Sequence, residues 1–133
     1  MFDLTILGCK KLSYWFFVSA SFVSLGSAIF HGFVGARIYL DNISQSDITK
    51  LTKSLSLVSW HVFTIFLLVS AVTFAWLAYY PRFESAAYPL IGINFLGATL
   101  FFFLGFGNHK NLMKLPGAYL MSITGLLALL AVV

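Results

Sequence analysis

The side chains best suited to chemistry in this chain are the imidazoles of His31 and His61, the only histidines inside its apolar stretches. Each lies roughly seven to nine residues from the polar link joining their two stretches, so at about 1.5 Å of rise per residue both rings sit roughly 10–14 Å below the same face. An ionisable group at that depth in a bilayer is costly and faces a site, a cavity or a partner. Two neutral imidazoles at one level can ligate a haem iron or a metal, bind a small molecule, or hydrogen-bond to the opposite helix. His109 sits beside Lys110 in a polar link and reads as solvated.

The elements that carry these rings follow from composition. The chain is 60% hydrophobic and 9% charged, far from the balance of a soluble domain. Four stretches approach the length of about 20 residues that a spanning helix needs: residues 14–40, 54–79, 86–106 and 115–133. The links are short and polar, and Pro116 suits the first turn of the last helix. These observations predict an all-α integral membrane four-helix bundle, a single transmembrane domain over residues 1–133. The first stretch is longer than the apolar region of a cleavable signal and reads as a retained span.

The faces of the helices carry further candidates. Ala20, Ser24, Ala28, Gly32 and Ala36 recur at four-residue spacing and offer a small-residue stripe against which another helix can pack closely. Beside it, Ser27, His31 and Gly35 leave small residues one turn either side of the imidazole, so a bulky object can lie there. Thr64 is near His61 on the second helix, and Asn94 lies near mid-depth on the third. Ser27, Gly35, Thr64 and Asn94 are therefore the expected pocket or packing residues. In a purely structural reading, His31 bonds to Ser59 or Thr64, and His61 to Ser27.

Other chemistries lose their support. Asp3, Asp41, Asp47 and Glu84 all fall in the ends or links, which removes the buried carboxylate of a proton-coupled exporter and the acid that orients a catalytic histidine. Gly-x-Ser-Gly is missing, so no catalytic residue is assigned and the chain is not expected to be an enzyme by itself. Cys9 is the only cysteine, which rules out a disulfide or a thiolate metal cluster within one chain. A two-histidine zinc site lacks a third ligand. The basic balance reads as topology, with no nucleic-acid partner. Arg37, Lys50, Lys53, Lys110 and Lys114 lie at one face, and Lys10, Lys11 and Arg82 at the other. The positive-inside rule places the larger group in the cytoplasm and both termini outside, in a bacterial-type inner membrane.

The run His31-Gly32-Phe33-Val34-Gly35-Ala36-Arg37 resembles the His-x-x-x-Gly-x-Arg segment of the membrane cytochrome b subunit of succinate dehydrogenase. The resemblance covers about eleven residues. It implies haem b ligated by His31, with Arg37 near a propionate. The segment departs from that family at Ile38, where a histidine is usual, and the second ligand, supplied there by another subunit, falls here to His61. The expected cofactor-binding set is thus His31, His61 and Arg37. The expected function is an accessory or redox-associated subunit in a larger membrane complex or homo-oligomer. The alternatives are a small oligomeric transporter or channel lined by Ser27, His31, Thr64 and Asn94, and a purely structural or assembly protein.

Overall fold

Each break in the helical ladder has a local cause. In a computed structural model that describes the backbone of residues 2–133 and the side chains of residues 11–133, helix α1 (Phe2–Ile29) runs into a π-helical segment (Phe30–Gly35) and then α2 (Ala36–Gln45), which together form one continuous rod. Asp3, Cys9 and Lys10 lie outside the described side chains. After four intervening residues α3 (Lys50–Tyr79) begins, capped by Thr49, whose hydroxyl accepts from the Thr52 amide at 3.3 Å. Lys53 Nζ donates to the Ser44 carbonyl at 2.7 Å, tying the end of α2 to the start of α3. The predicted link of residues 41–53 is therefore mostly helical. Its polar side chains mark departure from the apolar layer, which does not end a backbone ladder.

Pro81 forces Tyr80 out of the helical region, and one 3-10 segment (Pro81–Ala86) leads into α4 (Ala87–Phe106). Gly107 ends α4, a second 3-10 segment (Lys110–Lys114) follows, and Pro116 caps α5 (Gly117–Val132). The α1–α2 rod, α3 and the stretch Pro81–Phe106 are long and apolar enough to cross a membrane. With 16 residues, α5 is about 24 Å long, short of the roughly 30 Å hydrocarbon core. The architecture is an all-α bundle of four helical rods.

α1 packs between α3 and α5, and α5 carries α4 on its other side, while α3 and α4, consecutive in sequence, scarcely touch. Small residues set the close approaches. Ala20, Ser24 and Ala28 are buried, so most of the small-residue stripe is used for packing within the chain. Gly97 accommodates Met121, and a Cβ on Gly125 would stand 3.2 Å from the Phe95 ring. Ser21 Oγ donates to the Ala71 carbonyl at 2.8 Å and crosses the α1–α3 seam.

The contiguous cluster of buried apolar residues lies in one half. Phe17 and Ala20 of α1 meet Phe74, Leu77 and Ala78 of α3, Ala87 and Ile91 of α4, and Ala128 and Ala131 of α5. These residues belong to the end of the molecule that holds the Tyr80–Pro81 corner. At that end Tyr14 packs edge-on against Tyr79, and Trp76 stacks on Phe83 with the Arg82 guanidinium 4.6 Å above the Phe83 ring, the composition of an interfacial belt. Phe33, Leu96, Phe103 and Phe106 stand exposed around the outside, a surface suited to lipid. The chain is read as an integral membrane protein.

Candidate functional site

His31 lies in the π-helical segment, where the rod opens to i→i+5 bonding. π turns inside α-helices recur at functional sites. Here Ala36 N–H reaches back to the His31 carbonyl, and the same carbonyl accepts from Trp60 Nε1 at 3.3 Å. Two glycines let α3 come this close. A Cβ on Gly32 would stand 3.2 Å from Thr64 Cγ2, and one on Gly35 only 2.9 Å from Trp60 Cζ2. The bulky object that the Ser27, His31, Gly35 face receives is Trp60 of the same chain.

Trp60 lies nearly parallel to His31, 4.0 Å between centroids, and nearly parallel to Tyr39 at 4.4 Å. Two rings this close to one centroid cannot share a face without overlapping, so Trp60 is sandwiched, filling the slot that Gly35 leaves between His31 and Tyr39. Phe63 closes on His31 edge-first at 5.0 Å. Trp60 and Tyr39 were missed in the sequence. The legible signal was the spacing His31, Gly35, Tyr39, two large rings flanking a glycine at successive four-residue steps.

The hydrogen bonds tie the tautomer of His31 to the Thr64 hydroxyl. Thr64 Oγ1 lies 2.9 Å from His31 Nδ1 and donates to the Trp60 carbonyl at 3.2 Å. A hydroxyl has one proton; with that proton on Trp60, His31 Nδ1–H is the donor to Thr64. In that arrangement Nε2 keeps its lone pair, and it has no hydrogen-bond partner among the described residues. The expected packing bond from His31 to Thr64 across the hairpin is thus present. Together with the bond from Trp60 Nε1 to the His31 carbonyl it forms a reciprocal clasp between the first rod and α3.

Beside the clasp is a cavity of about 480 Å³ bounded by all four rods, within the range of small-molecule pockets. Ser27, His31 and Gly35 border it from the first rod, Trp60 and Phe63 from α3, Asn94 and Phe101 from α4, and Leu120 and Thr124 from α5. Its surface is largely apolar. Asn94 is 1% exposed and uses its amide N–H on the Leu90 carbonyl at 2.9 Å. Thr124 is 3% exposed, and its hydroxyl has no hydrogen-bond partner among the described residues. The cavity occupies the half of the bundle opposite the packed core, and it borders the gap where α3 and α4 part.

No family model, curated protein or solved structure matches this chain. The site therefore stands on its own geometry. Of the expected residues, Ser27, His31, Gly35 and Asn94 come together on one cavity, with Thr64 supporting His31 from behind. His61 does not join them. It is exposed and does not border the cavity, because one residue along α3 from Trp60 turns the side chain by about 100°. The expected bond from His61 to Ser27 is not made, and Ser27 Oγ donates to its own helix at Val23. Arg37, at the start of α2, is exposed and also lies off the cavity. A haem held between two histidines does not fit this arrangement, because His61 lies off the cavity that His31 borders. Among the described residues no group of three metal-ligating side chains occurs.

Proposed function

We propose that the chain is an accessory membrane protein whose work is to bind one lipid-soluble small molecule in this half-membrane cavity, with His31 as its polar anchor. The observation that carries the reading is the pairing of an apolar chamber with a few fixed polar groups, foremost the oriented imidazole of His31. His31 Nε2 is fixed by the Thr64 bond and the Trp60 stack, so it meets a ligand hydroxyl or N–H without first ordering itself, and preorganisation of this kind is where binding free energy is saved. The redox-associated form of the reading narrows accordingly, from a haem between His31 and His61 to a ligand that contacts His31 alone. A through-channel fits less well, since Phe17, Phe74 and Leu77 close the half beyond the cavity.

The basic residues at the cavity end, Arg37, Lys50, Lys53, Lys110 and Lys114, favour a cytoplasmic position for that end under the positive-inside rule. On this reading both termini lie outside, in a bacterial-type inner membrane. The exposed His61 is then available to a neighbouring subunit of a larger assembly.

The test is extraction. Protein purified in mild detergent from its native membrane is extracted with organic solvent, and the extract is analysed by mass spectrometry. Visible spectra of the same sample are recorded oxidised and reduced. The expected result is one recurring apolar species near stoichiometric amount, absent from a folded His31→Leu variant, with no haem bands. Repeated extracts that contain only bulk lipid in both proteins would falsify the proposal, and sharp b-type bands would restore the haem reading.

A further inference from the structure

Resting on that reading, we infer that the ligand is an elongated amphiphile with two polar points, an anionic end held at the loop between α4 and α5 and a hydroxyl buried against His31. The loop has a hollow of its own, about 580 Å³ and open to the surface, bordered by Gly107, Asn108, His109, Lys110 and Asn111. Leu112 and Leu115 border both this hollow and the apolar cavity. They form a shared wall, so one molecule can lie across it with its body below and its end above.

Charge decides which end lies above. The residues around the loop hollow include Lys110 and no carboxylate, and Lys114 follows in the same 3-10 segment. The remaining polar groups there are neutral asparagine amides and His109, whose donors suit a carboxylate or phosphate. At the other end, His31 and Thr124 both border the cavity, and with Nδ1–H bonded to Thr64 the His31 Nε2 lone pair is open to a ligand hydroxyl. Between them the walls are Phe63, Phe101 and Leu120, which call for hydrocarbon. From Gly117 at the start of α5 to Thr124 is seven residues, about 10 Å of helix along the cavity, the reach of a medium-length chain.

The experiment uses the full chain in neutral-lipid nanodiscs with Trp60 as the sole tryptophan (Trp15→Phe, Trp76→Phe) and its fluorescence as the readout. The probes are ω-hydroxydodecanoate, dodecanoate and dodecanediol, with acetate as a free anion. The expected order has ω-hydroxydodecanoate tightest. Lys110→Gln weakens both carboxylates about fivefold, on the scale of one lysine at a membrane surface, leaves dodecanediol unchanged, and is rescued by Lys110→Arg. His31→Leu weakens the two hydroxylated probes and spares dodecanoate. Ser59→Phe, which fills the cavity from its exposed edge, abolishes all three. If dodecanediol binds as tightly as the hydroxy acid and ignores Lys110, the inference fails and the cavity reading stands. A full response to acetate alone overturns the amphiphile in favour of a free-anion site. Indifference of every probe to Ser59→Phe defeats both.

Discussion

At the scale of single residues, Gly35 and Thr64 are the positions on which the site depends. A methyl at position 35 would sit 2.9 Å from Trp60 Cζ2, and Trp60 has no easy retreat because rings lie against both of its faces. Gly35→Ala is expected to push Trp60 out of the sandwich, costing about 1–3 kcal/mol as other overpacked sites do. The check is loss of the near-ultraviolet circular dichroism of the Trp60-only protein together with a lower denaturant midpoint. Thr64→Val keeps the shape and removes the hydroxyl that holds His31 Nδ1. Hydrogen bonds between membrane helices average about 0.6 kcal/mol, so stability is expected to change little while the imidazole is freed to flip. Nitrogen-15 spectra of the histidine side chains report this directly: the wild type should show one neutral tautomer with Nδ1 protonated, and the variant a mixture. An unchanged single tautomer in Thr64→Val would show that the hydroxyl does not orient the ring.

At the scale of elements, the π-helical segment reconciles a sequence pattern with a continuous rod. Residues four apart drift by about 40° per step around an α-helix, so a stripe from Ala20 to Ala36 would leave its partner, and the wider π turn winds part of that drift back. Deleting Phe33, which is 76% exposed, removes the extra residue and permits α-helical bonding throughout. The expected variant keeps its helical circular dichroism and its detergent-stable size but loses the His31–Trp60 stack and ligand binding, since Ala36 no longer bonds five residues back. Retained binding would assign the π turn a packing role only. The helices themselves were legible because membrane spans announce themselves by length and apolarity, and the His31–Thr64 bond because small and polar residues recurred at helical spacing. The π turn was not legible, since no side chain encodes a change in hydrogen-bond register. Nor was the outward turn of His61: depth follows from counting residues, whereas facing requires the rotation of α3 about its axis, which Trp60 sets by docking at Gly35.

At the scale of the whole molecule, the two halves of the bundle are built differently, and the difference separates residues that static exposure does not. Thr124 is 3% exposed and Ala131 2%, both on α5 and seven residues apart, so they occupy the same face two turns apart. Thr124 borders the cavity, whereas Ala131 is locked in the cluster with Phe17 and Phe74. In a Cys9→Ser background, a cysteine in place of Thr124 is expected to react readily with a small membrane-permeant thiol reagent, and one in place of Ala131 to resist it until the protein unfolds. Burial inside a packed core requires global opening before reaction; burial behind an open chamber does not. A ligand seated in the cavity should slow the reaction at position 124 and leave position 131 unchanged. Equal resistance at both positions would mean that the chamber closes in the bilayer, and the contrast between a sealed half and a receiving half would then be lost. Reaction at 124 alone would show that the molecule opens from one side only, as a binding protein requires and a channel does not.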